Sequence, residues 1–238
     1  MFRCDGDAAE ISCGYPPGAS NYTCDCDERN ALLPAKAPFV CRFYYIDLGT
    51  NVGWQIEKLY NPRCASPVQR LFDDAFADRR DEVCAIGFEP NPAHARPLVE
   101  LEQRHAAKGR FVSIHMGFAG TRNRMSRLYL NRKTADGGRN HDWAAARVKQ
   151  HQANNSFVAT KEFDVVRLLL GLPTQATIVM KVDVEGDERT LFPALIRSRA
   201  LCRVRTVYAE FHRGYKPPPL GCPGTRLITI DDEGACAP

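Results

Sequence analysis

Short apolar runs alternate along this chain with longer stretches in which apolar residues recur at helical spacing. Phe43-Tyr44-Tyr45-Ile46, Val83-Cys84-Ala85-Ile86-Gly87-Phe88 and Ile178-Val179-Met180-Lys181-Val182 have strand length, and each run ends at an acidic residue. The pattern predicts strands near 42–47, 83–88, 110–115, 177–183 and 204–211, and helices near 53–60, 67–78, 93–107, 164–170 and 187–198. Asp164 is placed to cap the fourth helix, and Gly171-Leu172-Pro173 to stop it. Apolar strands separated by helices imply an α/β fold with helices on both faces of a buried parallel sheet. Residues 127–131 and 157–161 read as extra strands flanking a Gly- and Asn-rich loop, 136–155, long enough to serve as a lid. A last strand candidate, 227–230, sits in the turn-rich tail that begins at Lys216-Pro217-Pro218-Pro219. No internal repeat is visible.

The ends of the apolar runs carry the chemistry. After Asp47 come Gly49 and Gly53, then a helix-compatible segment. A strand, a tight glycine turn and a helix start form the corner of an open α/β sheet where nucleotide-like ligands sit. The spacing is G-x-x-x-G, unlike the G-x-G-x-x-G of dinucleotide binding, and the turn lacks the Lys-Ser/Thr of a phosphate-cradling loop. An acidic residue before the turn, with no phosphate apparatus, suits a ligand with ribose and amino-acid parts, such as S-adenosylmethionine. Glu89 ends the second run, where a carboxylate can accept both hydroxyls of a ribose. It lies further beyond the glycines than the usual spacing of about 20 residues, so 62–81 are expected to form an additional element. The third run ends in Asp183-Val184-Glu185-Gly186-Asp187-Glu188. A functional acidic group and a solvated acidic helix start are the two readings of that cluster.

Taken in order, I-D-L-G-T-N-V-G, G-F-E-P-N-P and M-K-V-D-V-E-G-D-E, followed by Tyr208-Ala209-Glu210-Phe211-His212, resemble the FkbM-type methyltransferases. The resemblance runs from Arg42 to His212 and implies a Rossmann-like methyltransferase sheet and S-adenosylmethionine-dependent O-methylation. The implied acceptor is a hydroxyl of a sugar, a glycan or another small molecule. By the same resemblance, Asp47, Gly49, Asn51 and Gly53 line the methionine part of the cofactor, with side chains at the glycines filling its space. Glu89, with Asn91 beside it, would hold the ribose, and Asp183 and Glu185 would face the reacting centre. The long segment before Glu89 and the cysteine content depart from the family pattern and leave the acceptor open. Such a sheet usually finishes with an antiparallel hairpin, and 26 residues follow His212. The expectation is therefore a sheet short by a strand, or a truncated chain.

In this reading the protein must align an acceptor oxygen with an electrophilic methyl group and take its proton. Asp183, Glu185 and His212 are the candidate catalytic residues, His212 with an ordinary pKa of about 6.5. A metal-free site is expected. Mg²⁺ held by Asp183 with Glu185 or Glu188 is the alternative, since clustered carboxylates suit hard cations. Two rival functions come from other classes: a catalytically silent, secreted glycan-binding module, and a nucleotide-sugar- or NAD-binding enzyme.

Composition narrows this picture. With 238 residues, 44% hydrophobic and 25% charged, the chain can build one sizeable core. The formal charge of +4 is spread out, which argues against a nucleic-acid partner. Arg122, Arg124, Arg127, Arg132 and Lys133 form a local basic cluster, read as solvated surface or as a contact for an anionic substrate. No run approaches the roughly 18 apolar residues of a membrane span, and oligomeric state is not legible. Ten cysteines change more. Cys4, Cys13, Cys24 and Cys26 crowd a segment with little to form a core, so residues 1–38 are expected to be a disulfide-stapled extension ahead of a methyltransferase-like domain, 39–238. Cys24-Asp25-Cys26 lacks zinc-knuckle spacing. With the glycosylation acceptors Asn21-Tyr22-Thr23 and Asn154-Asn155-Ser156, the cysteines point to the secretory pathway lumen or the extracellular space. No signal peptide precedes Cys4, so either a leader has been lost or the cysteines are reduced in a cytoplasmic protein.

Overall fold

The computed structural model describes residues 11–14, 23–26, 41–129 and 157–230, the first two segments as backbone alone. β1 (Ile11–Gly14) pairs antiparallel with β2 (Thr23–Cys26), setting Cys13 across from Cys24. The other strands form one sheet: β3 (Phe43–Leu48), β4 (Val83–Glu89), β5 (Val112–Gly120), β6 (Arg124–Tyr129), β7 (Phe157–Asp164), β8 (Thr177–Val182), β9 (Thr206–Ala209) and β10 (Arg226–Thr229). Among the described residues their order is β10-β9-β8-β3-β4-β5-β7-β6, eight strands, with only the β6–β7 pair antiparallel. The helices are α1 (Trp54–Tyr60), α2 (Gln69–Phe76), α3 (Ala95–Ala106), α4 (Val165–Gly171) and α5 (Glu188–Arg197). The fold is Rossmann-like α/β.

Strand periodicity builds the two cores. Tyr44, Ile46, Leu48, Ile86, Phe88, Ile178, Met180 and Val182 point to one face, where Leu168 and Leu169 of α4 and Leu191, Phe192 and Leu195 of α5 cover them. Phe43, Tyr45, Val83, Ala85 and Val179 point to the other, under Ile56 and Leu59 of α1, Phe72 and Phe76 of α2, and Leu98 and Leu101 of α3. Helices therefore lie on both faces, as the apolar runs implied.

The expected additional element in 62–81 is α2. Its Phe72 and Phe76 meet Tyr45 and Phe43 edge-on, with ring centroids 5.3 and 6.0 Å apart. Arg80, buried beside it, bonds Gln69 at 2.6 Å and Asp73 at 2.5 Å. Asp164 caps α4 by accepting from the backbone N–H of Arg167 at 3.0 Å.

One expectation needs correction. The third strand runs past 115 to Gly120, because Gly117 and Gly120 let β7 approach closely. A Cβ at Gly117 would stand 2.4 Å from the Lys161 carbonyl oxygen, and one at Gly120 would stand 2.2 Å from the Glu162 side chain. The closing antiparallel hairpin usual in such sheets was expected to be incomplete, and among the described residues the β9 edge carries β10, parallel to β9. The one antiparallel pair of the sheet is at the opposite edge.

Disulfides join Cys41 to Cys84 and Cys202 to Cys222, and Cys64 is also bridged. Among the described residues no helix is long and apolar enough to cross a membrane. The domain boundary at 38, Cys4, the side chains of Cys13, Cys24 and Cys26, both glycosylation acceptors, Arg132, Lys133 and the loop 136–155 lie outside the described residues.

Candidate active site

From β3 the chain winds outward through β4 and β5, then returns to lay β8 on the other side of β3. The carboxyl ends of β3 and β8 thus flank the sheet's switch point, where a crevice opens in folds of this kind. Asp47 and Lys181 are register partners there, and Asp47 also faces Gly87 of β4.

The turn after β3 is built from residues with left-handed backbones: Gly49 at φ 86°, Asn51 at 52° and Gly53 at 91°. The backbone N–H groups of Gly49 and Thr50 both donate to the Phe88 carbonyl, at 3.1 and 3.0 Å, so the turn folds back over the end of β4. A Cβ on Gly49 would stand 1.8 Å from the Asp183 carbonyl oxygen, and one on Gly53 would stand 2.5 Å from Leu101. Close approach to Asp183, just past β8, and to Leu101 of α3 thus gives a reason within the protein for glycine at both positions.

Glu89 is buried and spans two turns: Oε2 accepts from the Asn51 N–H at 2.7 Å and Oε1 from the Asn91 N–H at 2.8 Å. His94 lies 3.3 Å away on the Oε1 side. Asn91 uses its own Oδ1 to accept from the Ala93 N–H, starting the short 3₁₀ turn Pro92–His94 ahead of α3. The Glu89 carboxylate therefore holds the glycine turn against the end of β4.

Lys181 is the residue that sequence reasoning passed over. Its signal was a lysine inside an apolar run, since a buried ammonium must find partners. Nζ donates to the Gly49 carbonyl at 2.6 Å, lies 3.0 Å from Asp183 Oδ2 and 3.7 Å from Asp47 Oδ1. Burial disfavours its charge, but Asp183 and Asp47 outweigh that and hold it above its ordinary range. Asp47 is fully buried, and neither carboxylate oxygen accepts a hydrogen bond. Burial pushes its carboxyl up to about 7, against the pull of Lys181 and with the added push of Asp183 and Glu89. A group at that value is poised between its two forms near neutral pH, a common mark of functional sites.

Across the switch point, Asp183, Glu185 and His212 come together as the sequence suggested, their ligating atoms all within 4.8 Å of one another. Glu185 takes a left-handed backbone, φ 52°, beside Gly186 at 103°. For a residue with a Cβ that conformation is strained, and such strain gathers at functional positions. His212, just past β9, is fixed from behind: Nδ1 lies 2.8 Å from Oε1 of fully buried Glu188. Its Nε2 faces Glu210 at 3.3 Å, Glu185 at 3.7 Å and Asp183 at 3.8 Å. The Glu188 bond raises the imidazole to about 9; burial opposes this, and Glu185 and Asp183 add to it. The sequence suggested Glu188 only as an alternative Mg²⁺ ligand and did not single out Glu210 for a role; their signal was position, at the first residue of α5 and just past the end of β9.

Of the expected site residues, Asp47, Gly49, Asn51, Gly53, Glu89 and Asn91 gather at the ends of β3 and β4. Asp183, Glu185 and His212 gather at the ends of β8 and β9, and Lys181 joins the two groups. Comparison with protein-family models, with curated proteins and with solved structures found no match.

Proposed function

We propose that this chain is an S-adenosylmethionine-dependent O-methyltransferase of FkbM type, acting on a hydroxyl of a sugar, a glycan or another small molecule. One observation carries the reading: a glycine turn, an acidic residue on the second strand and an acid–imidazole group meet at the switch point of one parallel sheet. The donor set fits the cofactor. Its ammonium and ribose hydroxyls are donors, and the crevice offers the unbonded Asp47 carboxylate, the buried and unbonded Asn51 Oδ1, and a Glu89 carboxylate with one backbone bond on each oxygen.

In this reading Asp47 and Asn51 hold the amino-acid part, and Glu89 accepts the ribose hydroxyls, with the unbonded Nδ2 of Asn91 available as a donor beside it. When bound, the cofactor supplies a methyl group made electrophilic by its sulfonium. Asp183, Glu185 and His212 orient the acceptor hydroxyl and receive its proton. An imidazole raised to about 9 is mostly protonated at neutral pH, which favours Asp183 or Glu185 as the proton acceptor. The bridges Cys41–Cys84 and Cys202–Cys222 support residence in an oxidising compartment.

The test is transfer of a labelled methyl group from S-adenosylmethionine to a panel of glycans and small alcohols. Label in a product, lost in Asp183→Asn, supports the reading. Glycan binding without transfer to any acceptor would instead mark a silent binding module.

A further inference from the structure

We propose that Asp183, Glu185 and His212 form a binding site for a divalent transition-metal cation, Zn²⁺ or Mn²⁺, with Glu188 as the residue that positions the imidazole. The inference goes beyond methyl transfer, because such a site can be present whichever cofactor the crevice takes.

The argument begins behind the ring. Glu188 is fully buried, and its Oε1 takes the Nδ1–H of His212 at 2.8 Å and lies 3.3 Å from the Val184 backbone N–H. Its Oε2 has no hydrogen-bond partner. A carboxylate on the far nitrogen is the usual support of a metal-binding histidine, because it fixes the tautomer and makes the near nitrogen a better donor. With Nδ1 held there, Nε2 points toward oxygens of Asp183, Glu185 and Glu210.

Carboxylate oxygens converging on Nε2 call for positive charge between them, supplied by the imidazolium proton in the metal-free chain or by a metal ion that displaces it. A proton on Nε2 can serve Glu210 Oε1 at 3.3 Å, but Glu185 Oε2 at 3.7 Å and Asp183 Oδ1 at 3.8 Å are beyond hydrogen-bond reach. Those separations suit a metal instead. Two ligands each about 2.1 Å from a tetrahedral ion stand about 3.4 Å apart, a few tenths of an ångström inside both His212 separations, and the three ligand atoms all lie within 4.8 Å of one another. Asp183 is divided to allow this: Oδ2 meets Lys181 at 3.0 Å, leaving Oδ1 for the site. One imidazole with two carboxylates favours Zn²⁺ or Mn²⁺ over Mg²⁺, which prefers oxygen ligands and retains water.

The experiment uses the whole chain, freed of metal with a chelator and then dialysed, without methyl donor or acceptor, so that its outcome is independent of catalysis. Zn²⁺, Mn²⁺ and Mg²⁺ are titrated calorimetrically, and Co²⁺ is followed by its visible absorption as a reporter of nitrogen and oxygen ligation. The expected result is one Zn²⁺ or Mn²⁺ per chain, with Mg²⁺ at least tenfold weaker and a Co²⁺ band that disappears in His212→Gln. Glu188→Gln, folded by circular dichroism, should weaken binding by roughly 10–100-fold while leaving the three ligands in place. No saturable uptake by the wild-type chain would overturn the proposal. So would uptake undiminished in both folded Asp183→Asn and folded His212→Gln, which would mark adventitious binding elsewhere.

Discussion

Lys181 Nζ donates to the carbonyl oxygen of Gly49 at 2.6 Å and lies 3.0 Å from Asp183, so one ammonium ties the end of β8 to the turn after β3. Removing it would leave Asp47 and Asp183 facing each other across the switch point without a counter-charge. Lys181→Met is expected to lose about 3–5 kcal/mol, the range for breaking a buried ion pair from one side. The double variant Lys181→Met/Asp47→Asn should recover part of that loss, because one of the two carboxylates left facing each other is then neutral. Urea denaturation of the three proteins measures both effects; a loss below about 1 kcal/mol in the single variant would show that the ammonium is not the tie described.

Much of this arrangement was legible beforehand, for physical reasons. Apolar runs of strand length with an acidic stop located β3, β4 and β8 to within a residue or two, because a parallel sheet buried on both faces leaves little freedom in composition. The cluster at Asp183, Glu185 and His212 was legible because strand ends converge at a switch point. What the sequence did not disclose depends on long-range contact. The need for glycine at 49 is set by the Asp183 carbonyl, 134 positions later in the chain, and the role of Lys181 exists only once β8 lies beside β3. Neither is a local property. The length of β5 was missed because glycine usually weakens a strand, whereas Gly117 and Gly120 admit β7.

The glycine turn yields a contrast between two positions with similar backbones. Gly109 has φ 71° and open space where a Cβ would be, so Gly109→Ala should lose only about 1–2 kcal/mol, from the left-handed backbone. Gly49→Ala adds a collision with the Asp183 carbonyl just past β8 and should lose several kcal/mol more, or fail to fold. Thermal melts of the two variants decide it; equal losses would mean that the turn can move away from β8.

The bridges predict a ranking. Cys41–Cys84 closes 43 positions of chain and Cys202–Cys222 closes 20. On the chain-entropy account their contributions are about 4 and about 3 kcal/mol respectively. The paired alanine variants should lose stability in that order, both substantially, when compared by denaturant midpoint under non-reducing conditions. Full retention of stability in both would remove the structural argument for an oxidising compartment.

His115 predicts the acid limb of stability. The ring is buried between Phe88 and Phe163, at centroid distances of 5.2 and 5.1 Å, with Nε2 unbonded. Burial, helped by the charge of Lys161, lowers its pKa from 6.5 to about 4. The unfolded chain then binds more protons than the native one between those values, so this contribution is complete above pH 6.5 and is lost as the pH falls toward 4. Its size is about 3 kcal/mol. In His115→Leu the same interval should show a shallower decline of the urea midpoint; an unchanged slope would assign the acid limb to other groups.

The central claim is that the crevice between β3, β4 and β8 takes S-adenosylmethionine, and titration calorimetry on the wild-type chain tests it most directly. The account predicts saturable binding of S-adenosylmethionine, no comparable heat with NAD or a UDP-sugar, and binding about tenfold or more weaker in folded Glu89→Gln, where one charge-assisted acceptor is lost. Absence of saturable S-adenosylmethionine binding by the folded wild-type protein would contradict the account, and preference for NAD or the UDP-sugar would assign the same crevice to a different cofactor.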